Sequence, residues 1–148
     1  MGKIKAINIT NISEENTFYV NQAILEKGKG IVNDRYYANF KEKKEQVTLI
    51  NLEDINNFNN QIREHIDAKD FRRNIIVSGI NLNELINKKI KINEITLKIH
   101  EICQPCKYLQ NRLKIPGLVK MLVNKSGVRA EILSSGNLSV GDKIKILK

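Results

Sequence analysis

The sequence predicts a mainly β protein, a β-barrel with a few short α-helices. Short runs of alternating apolar and polar residues recur along the chain between turn residues. The clearest, KIKINEITLKIH at 89–100, has the pattern of a β-hairpin, with apolar alternation on both sides of Asn93–Glu94. Helical segments are few and do not alternate regularly with the strands, which favours a barrel over a parallel sheet.

The first 52 residues contain two predicted strands and a long loop. Residues 3–10 alternate as a strand whose apolar parity slips near Ala6, which predicts a β-bulge. Residues 26–37 are a charged, glycine-containing segment that we interpret as a loop. Residues 45–52 form a short run typical of a strand.

A helix and another strand follow. The segment 51–66 begins with a candidate cap at Asn51, and four apolar residues recur in it at helical spacing: Ile55, Phe58, Ile62 and Ile66. Residues 71–82 run into a strand that ends at Gly79, after which Asn81 is placed to cap a short helix.

The last third predicts two short helices and a β ending. A helix is expected from Pro105, a residue suited to the first helical position, and Leu109 and Leu113 lie four apart on one face. A second helix follows the break at Pro116–Gly117. The chain then predicts a strand, a turn at 134–137 and a closing strand.

Composition predicts one globular domain over residues 1–148, with 41% apolar and 28% charged residues and neither repeat nor linker. The longest apolar runs fall short of the roughly 18 residues of a membrane span, and the start, MGKIKAINIT, lacks the apolar region of a signal peptide. We therefore expect a cytoplasmic protein without membrane contact, whose thiols stay reduced.

The net charge of +9 comes mainly from lysine, since 19 of the 25 basic residues are Lys and six are Arg. Lysine spread over every segment is typical of a solvated surface, and neither an aromatic platform nor a DNA-reading helix accompanies it. The sequence therefore argues against a nucleic-acid partner. The arginines carry more information about anion binding, because a guanidinium can bind a phosphate through two hydrogen bonds.

Both cysteines lie in one stretch, HEICQPCKYLQ at 100–110, and four interpretations are open. Cys103 and Cys106 have the spacing of a redox pair, although hairpins rather than a βαβ unit surround them. With His100 they offer three of the four ligands that a zinc site usually needs. They could also be small core residues. The fourth interpretation is a single reactive thiol.

Local physics favours Cys106 over Cys103 as that thiol. If the helix begins at Pro105, Cys106 falls in its first turn, where unpaired N–H groups and the helix dipole favour a thiolate. Lys107 adds positive charge beside it. A thiolate is the form that attacks sulfur or binds a soft metal.

Three blocks of sequence together resemble the MOSC domain, the C-terminal domain of molybdenum cofactor sulfurase. They are FRRNIIVSGINLNELINKKIKINEITLKI, CQPCKYLQ and GLVKMLVNKSGVRAEILSSGNLSVGDKIKI, and the resemblance spans about residues 26–147. The series Arg-x-Asn-Ile, Cys-x-Pro-Cys and Leu-x-x-Gly-Asp carries it. The resemblance implies a mostly β barrel and a molybdenum cofactor, or a sulfur atom, handled at one cysteine.

The resemblance also implies roles for individual residues. The family's key cysteine corresponds to Cys106, as molybdenum ligand or sulfur carrier, with Cys103 as a helper or bystander. Residues matching the family's cofactor-binding positions are Arg72, Asn74, Asp34, Arg35 and Arg129. The chain departs from the family's Gly-Asp-Arg at Asn33, a residue type that tolerates the left-handed backbone such a turn requires.

We therefore expect a molybdenum-cofactor-handling or sulfur-carrier domain, and whether it is an enzyme stays open between a sulfur transferase and a molybdenum-dependent oxidoreductase. Sulfur is expected from a separate pyridoxal-phosphate cysteine desulfurase, because residues 1–148 hold no such domain. Molybdenum-cofactor enzymes or biosynthesis proteins are the expected acceptors. The alternatives are a small molybdoenzyme that reduces N-hydroxylated substrates and a binding module without chemistry.

Overall fold

Eleven strands and three short helices make up the described part of the computed structural model, which covers residues 2–11 and 16–147. The strands are β1 Gly2–Ile9, β2 Phe18–Val20, β3 Gln22–Glu26, β4 Gly30–Ile31, β5 Val47–Asn51, β6 Ile75–Ser78, β7 Lys89–Ile92, β8 Ile95–Ile102, β9 Val128–Ser134, β10 Gly136–Ser139 and β11 Lys143–Leu147. The helices are α1 Leu52–Ile62, α2 Lys107–Leu113 and α3 Leu118–Met121, with 3₁₀ turns at Lys43–Glu45, Ala68–Phe71 and Leu82–Leu85. Within these residues no helix is long and apolar enough to cross a membrane.

A closed barrel of seven strands forms the centre of the molecule. Its strands follow the order β11-β7-β8-β9-β5-β6-β1, and pairing of β1 with β11 closes the sheet. β2 pairs with the far end of β1, while β10, β3 and β4 form a separate small sheet. The mainly β barrel with short helices that the sequence predicts is therefore confirmed.

Two apolar clusters hold the fold together. The first fills the barrel with inward-facing Ile, Leu and Val side chains from nearly every strand, because alternation along each strand directs every second residue inward. The second lies outside the barrel, where the three helices cover β5 and β6. All five residues of β5, including the polar Thr48 and Asn51, are consequently buried.

Several local predictions are confirmed. The register between β1 and β6 shifts between Ile4 and Ala6, at the predicted bulge. β7 and β8 form the predicted hairpin, and Asn93 in its turn has φ 55°. Asn81 accepts a hydrogen bond from the backbone N–H of Asn83 and so caps the short helical turn that follows.

Other local predictions are wrong because contacts with distant parts of the chain determine the structure of those segments. The expected turn at 134–137 is the beginning of β10, which pairs with β3 across more than a hundred residues. The expected loop 26–37 contributes β4 to the same small sheet. Asn51 precedes α1 as predicted, but its side chain bonds Ile80 and Leu82 instead of capping the helix.

Gly127 lies against the backbone of β5 and accepts a hydrogen bond from Cys103. A Cβ atom there would lie 2.2 Å from the carbonyl oxygen of Leu49, and φ is +94°. We expect Gly127→Ala to lower the free energy of unfolding by about 3 kcal/mol or more, measured by urea denaturation. Gly141→Ala is the matched control, since φ is also +94° but nothing lies within 4 Å. Equal losses for the two variants would contradict a steric role for Gly127.

Candidate functional site

Three segments at one end of the barrel surround a cleft of about 300 Å³. The turn after β4 contributes Arg35 and Tyr36, and the segment before β6 contributes residues 71–73. The third segment, 106–109, contains the beginning of α2 and supplies Cys106, Tyr108 and Leu109. Residues far apart in sequence thus face one concave surface.

Cys106 is exposed and lines this cleft. Its backbone is extended, with φ −125° and ψ 164°, so it is the N-cap of α2 and the helix begins at Lys107. The expected start at Pro105, which would have put Cys106 in the first helical turn, is therefore wrong. The thiol makes no capping hydrogen bond, so it remains accessible to a ligand.

Cys103 lies in a different environment. Only 1% of its surface is exposed, and its backbone N–H donates to the carbonyl of Gly127 over 2.8 Å. Burial raises the pKa of the Cys103 thiol, against the opposing positive charges of Arg73 and Arg129. The cleft-lining residues include Cys106 but not Cys103, so the two cysteines are unequal in their access to a ligand.

Arg72 is a largely buried residue that lines the same cleft as Cys106. Its residue is 8% exposed, and it ends the 3₁₀ turn of residues 68–71 in the left-handed conformation, with φ 61°. The preceding Phe71 anchors this corner by packing edge-to-face on Phe58, with ring centroids 5.7 Å apart. The Arg72 guanidinium lies 5.9 Å from the centroid of the Tyr108 ring.

Positive charge is concentrated around Arg72. Burial lowers the pKa of its guanidinium, and the positive charges of Arg35 and Arg112 lower it further. The cationic form therefore lacks the solvation it would have in water. An anion bound in the cleft would supply compensating charge, so this electrostatic environment favours anionic ligands.

Arg35 forms the second basic wall of the cleft. Its side chain is only 6% exposed, and it donates a hydrogen bond to the carbonyl of Arg72 over 3.3 Å. It also stacks over the ring of Tyr36, 4.5 Å from the centroid. These contacts tie the turn after β4 to the segment before β6.

Asp34 organises the turn that carries Arg35. Its buried carboxylate accepts hydrogen bonds from the backbone N–H groups of Thr10 and Tyr36, and it lies 4.0 Å from the guanidinium. The preceding Asn33 has φ 73°, so the turn keeps the left-handed residue that the sequence predicts there. Asp34 supports the site without lining the cleft.

Arg73 also lines the cleft, and the sequence interpretation missed it. Its Nε donates to the carbonyl of Ser126 over 2.7 Å, and a second nitrogen donates to the Ser126 hydroxyl over 3.0 Å. The paired arginines in FRRN were the available signal, but the family resemblance assigned a role only to Arg72.

Asn74 and Arg129 do not line the cleft. The Asn74 side chain is buried and fully engaged with Thr48 on β5 and Asn8 on β1. Arg129 projects from β9 and forms an ion pair with Glu101 at 3.0 Å. Of the predicted site residues, Cys106, Arg72 and Arg35 meet in the cleft, and a ligand-binding role for the others stays a prediction.

Within the part of the chain that the structure describes, the side chains of His100, Cys103 and Cys106 do not gather into a zinc site. Among residues 2–11 and 16–147 there is no group of three His, Cys, Asp or Glu side chains that could hold a metal ion. The imidazole of His100, the proposed third ligand, instead hydrogen-bonds to the carboxylate of Glu131 on the neighbouring strand, at 2.9 Å. A metal centre here would have to bring most of its own ligands and take one from the protein.

The cleft nevertheless suits a ligand of that kind. Arg35 and Arg72 can receive a phosphate group, and the Tyr36 and Tyr108 rings border the space with apolar faces and polar hydroxyls. The Cys106 thiol supplies a soft ligand or a sulfur nucleophile. An anionic cofactor whose metal carries sulfur ligands of its own therefore fits the donor set present.

Comparison with known proteins identifies a matching family and several similar structures. The MOSC domain family model matches residues 35–145. The YuaD protein of Bacillus subtilis has a similar structure, with TM-score 0.85 and 18% identity over 99% of this chain and 96% of that one. YiiM of Geobacillus stearothermophilus has a TM-score of 0.81 and is 16% identical, over 100% of this chain and 76% of that one. YiiM of Escherichia coli has a TM-score of 0.76 and is 13% identical, over 99% of this chain and 70% of that one. A search of curated proteins found no match.

The unequal exposure of the cysteines predicts their reactivity. One thiol per native chain is expected to react rapidly with Ellman's reagent, and the second only after denaturation, because Cys103 is buried and its pKa is raised. Cys106→Ser should abolish the rapid phase, whereas Cys103→Ser should preserve it. Rapid reaction of both thiols in the native wild type would contradict the structure.

Proposed function

The chain belongs to the MOSC domain family, and from that premise we propose that it handles the molybdenum cofactor or the sulfur destined for it, with Cys106 as the working thiol. The MOSC domain is associated with the molybdenum cofactor. One observation carries the proposal: the exposed Cys106 shares a single cleft with the arginines 35, 72 and 73. Such a cleft can hold an anion while presenting a nucleophilic sulfur to it.

The arginines would bind the ligand through its negative charge. Arg72 is held by burial, and the buried Arg35 side chain is held by its hydrogen bond to the Arg72 carbonyl, so little side-chain freedom is lost when an anion binds. A guanidinium matches a phosphate with two parallel hydrogen bonds. When bound, the cofactor would supply a metal that accepts a soft sulfur ligand. Cys106 lines the same cleft and is the side chain available to act as that ligand.

Sulfur transfer to Cys106 would use ordinary thiol exchange. The Cys106 thiolate attacks the outer sulfur of a donor persulfide, forming a new S–S bond while the donor's S–S bond breaks. The donor's sulfur leaves as a thiolate, and Cys106 keeps the transferred sulfur as a persulfide. We propose a separate cysteine desulfurase as the donor, and a molybdenum-cofactor enzyme or biosynthesis protein as the acceptor.

The surroundings of the two cysteines support Cys106, rather than Cys103, as the sulfur-carrying thiol. The nearby guanidinium groups of Arg72 and Arg35 would stabilise an anionic persulfide in the cleft. Cys103 is buried, and its raised pKa keeps it a thiol. Loading is therefore assigned to Cys106, and a resolving role for Cys103 would require the segment 103–106 to move.

Incubation with a cysteine desulfurase and cysteine tests the sulfur-carrier form of the proposal. Mass spectrometry of the intact protein should detect a single added sulfur, about 32 Da, because one accessible thiolate can attack the donor persulfide. The adduct should persist in Cys103→Ser and vanish in Cys106→Ser. An adduct confined to Cys103, or none at all, would refute sulfur carriage by Cys106.

Cofactor binding is tested by replacing one guanidinium. In protein purified from a host that makes the cofactor, Arg72→Lys should lower bound pterin and molybdenum by about tenfold, since lysine cannot form the bidentate contact. Arg63→Lys is the matched control, because Arg63 also ends a helix with a left-handed backbone, with φ 58° against 61°, but is exposed and away from the cleft.

The two measurements together separate the alternatives. Stable, near-stoichiometric molybdenum and pterin that depend on Cys106 would favour the small molybdoenzyme over the sulfur carrier. A transferable sulfur without bound metal would favour the carrier. Wild-type protein that takes up neither sulfur nor cofactor would leave only a binding module and overturn the proposed function.

A further inference from the structure

The barrel wall formed by β1, β7 and β11 carries a regular pattern of lysines. The tripeptide Lys-Ile-Lys occurs three times, at 3–5, 89–91 and 143–145, in strands β1, β7 and β11. The isoleucine of each tripeptide is buried in the barrel and the lysines point outward. We call five of these residues the lysine face: Lys3, Lys89, Lys91, Lys143 and Lys145.

The register places these lysines directly opposite one another. Lys3 pairs with Lys143 across β1 and β11, and Lys145 pairs with Lys91 across β11 and β7. Lys89 faces a further lysine, Lys98, on β8. Like charges directly opposite on neighbouring strands destabilise a sheet. A purely solvated surface would gain stability from acidic partners at some of these positions.

Among the described residues, the lysine face has no acidic partner within ion-pair distance. The sequences of β1, β7 and β11 contain neither Asp nor Glu. The ion pairs found among residues 2–11 and 16–147 do not involve the lysine face. Asp142, at the adjacent turn, accepts hydrogen bonds from Asn93 and Ser139. Glu131, which faces Lys98 from β9, is paired with His100.

Protection of a sheet edge does not account for the lysines. Exposed lysines often prevent an edge strand from pairing with another chain. Here β11 pairs on one side with β1 and on the other with β7, and β7 pairs also with β8, so the barrel is closed at this wall. The opposed lysines on these strands therefore repel one another without protecting an exposed sheet edge.

We propose that the lysine face docks onto an acidic surface of a partner protein. Carboxylates on the partner would neutralise the opposed lysines and convert their repulsion into attraction. The three strands contain neither arginine nor an aromatic residue, so they lack the stacking platforms typical of single-stranded nucleic-acid binders.

Docking at this face leaves the cleft open. Cys106 follows the last residues of β8, whereas Lys91 faces Thr96 near the beginning of that strand. Lys3 likewise lies opposite Ser78, at the end of β6 remote from Arg72 and Arg73. A protein bound to the lysine face could hold the domain while a second molecule enters the cleft. The inference does not depend on the chemistry proposed for Cys106.

Binding of an acidic polypeptide by the whole chain tests this inference. Fluorescently labelled poly-L-glutamate should bind the wild type with an affinity that falls as salt rises from 50 to 200 mM. The triple variant Lys91→Gln, Lys143→Gln, Lys145→Gln should bind at least about tenfold more weakly. The matched control, Lys27→Gln, Lys29→Gln, Lys120→Gln, removes the same charge from exposed positions elsewhere and should lose about threefold at most.

Thermal unfolding provides a second measurement that does not require the probe. The triple variant should melt at a higher temperature than the wild type, because the opposed like charges are relieved, and the control should not. Equal loss of binding in both variants, or unchanged melting of the triple variant, would overturn the proposal. Tighter, equally lysine-dependent binding of poly-uridylate RNA or phosphatidylserine vesicles would also overturn it, by assigning the face to a different partner.

Discussion

The buried amide of Asn74 is the constraint on which the site depends. Its oxygen accepts from the backbone and hydroxyl of Thr48 on β5, and its nitrogen donates to Asn8 on β1. Leaving one such buried group without a partner costs about 1–3 kcal/mol, so the position at which β6 begins is closely determined. The two arginines immediately before Asn74 therefore emerge at one defined corner of the barrel.

From that corner the cleft is assembled by contacts between segments that are distant in sequence. The carbonyl of Arg72 accepts from Arg35, and the ring of Tyr108 lies beside the Arg72 guanidinium. The cleft therefore acquires its positive charge from two separate segments, the turn after β4 and the segment before β6. The carboxylate of Asp34 accepts hydrogen bonds from the backbone N–H groups of Thr10 and Tyr36. An accessible thiol beside buried cations is an arrangement suited to anionic sulfur or phosphate chemistry. The lysine face, by contrast, is exposed and spread over three strands, and suits a large partner rather than a small ligand.

Sequence patterns predicted much of the fold and only part of the site. The bulge near Ala6, the hairpin around Asn93 and the barrel class follow from residue alternation and turn chemistry, which act over a few residues. The start of α2 was misplaced by two residues, because Pro105 suits a first helical position but Cys106 is extended. Arg73 was missed, since no local rule distinguishes its role from that of Arg72.

The sequence by itself determined that this chain forms a β-rich barrel of the MOSC type with two dissimilar cysteines, because hydrophobic alternation and short motifs are local properties. Only the tertiary structure decided that β10 leaves the main sheet to pair with β3, that Cys103 is buried while Cys106 faces a basic cleft, and that Asn74 supports the cleft without lining it. It also decided that lysines from three distant segments lie opposite one another on one wall. Each of these outcomes depends on pairing between strands that are far apart in the chain. Sequence patterns that extend over a few residues do not determine which distant strands pair.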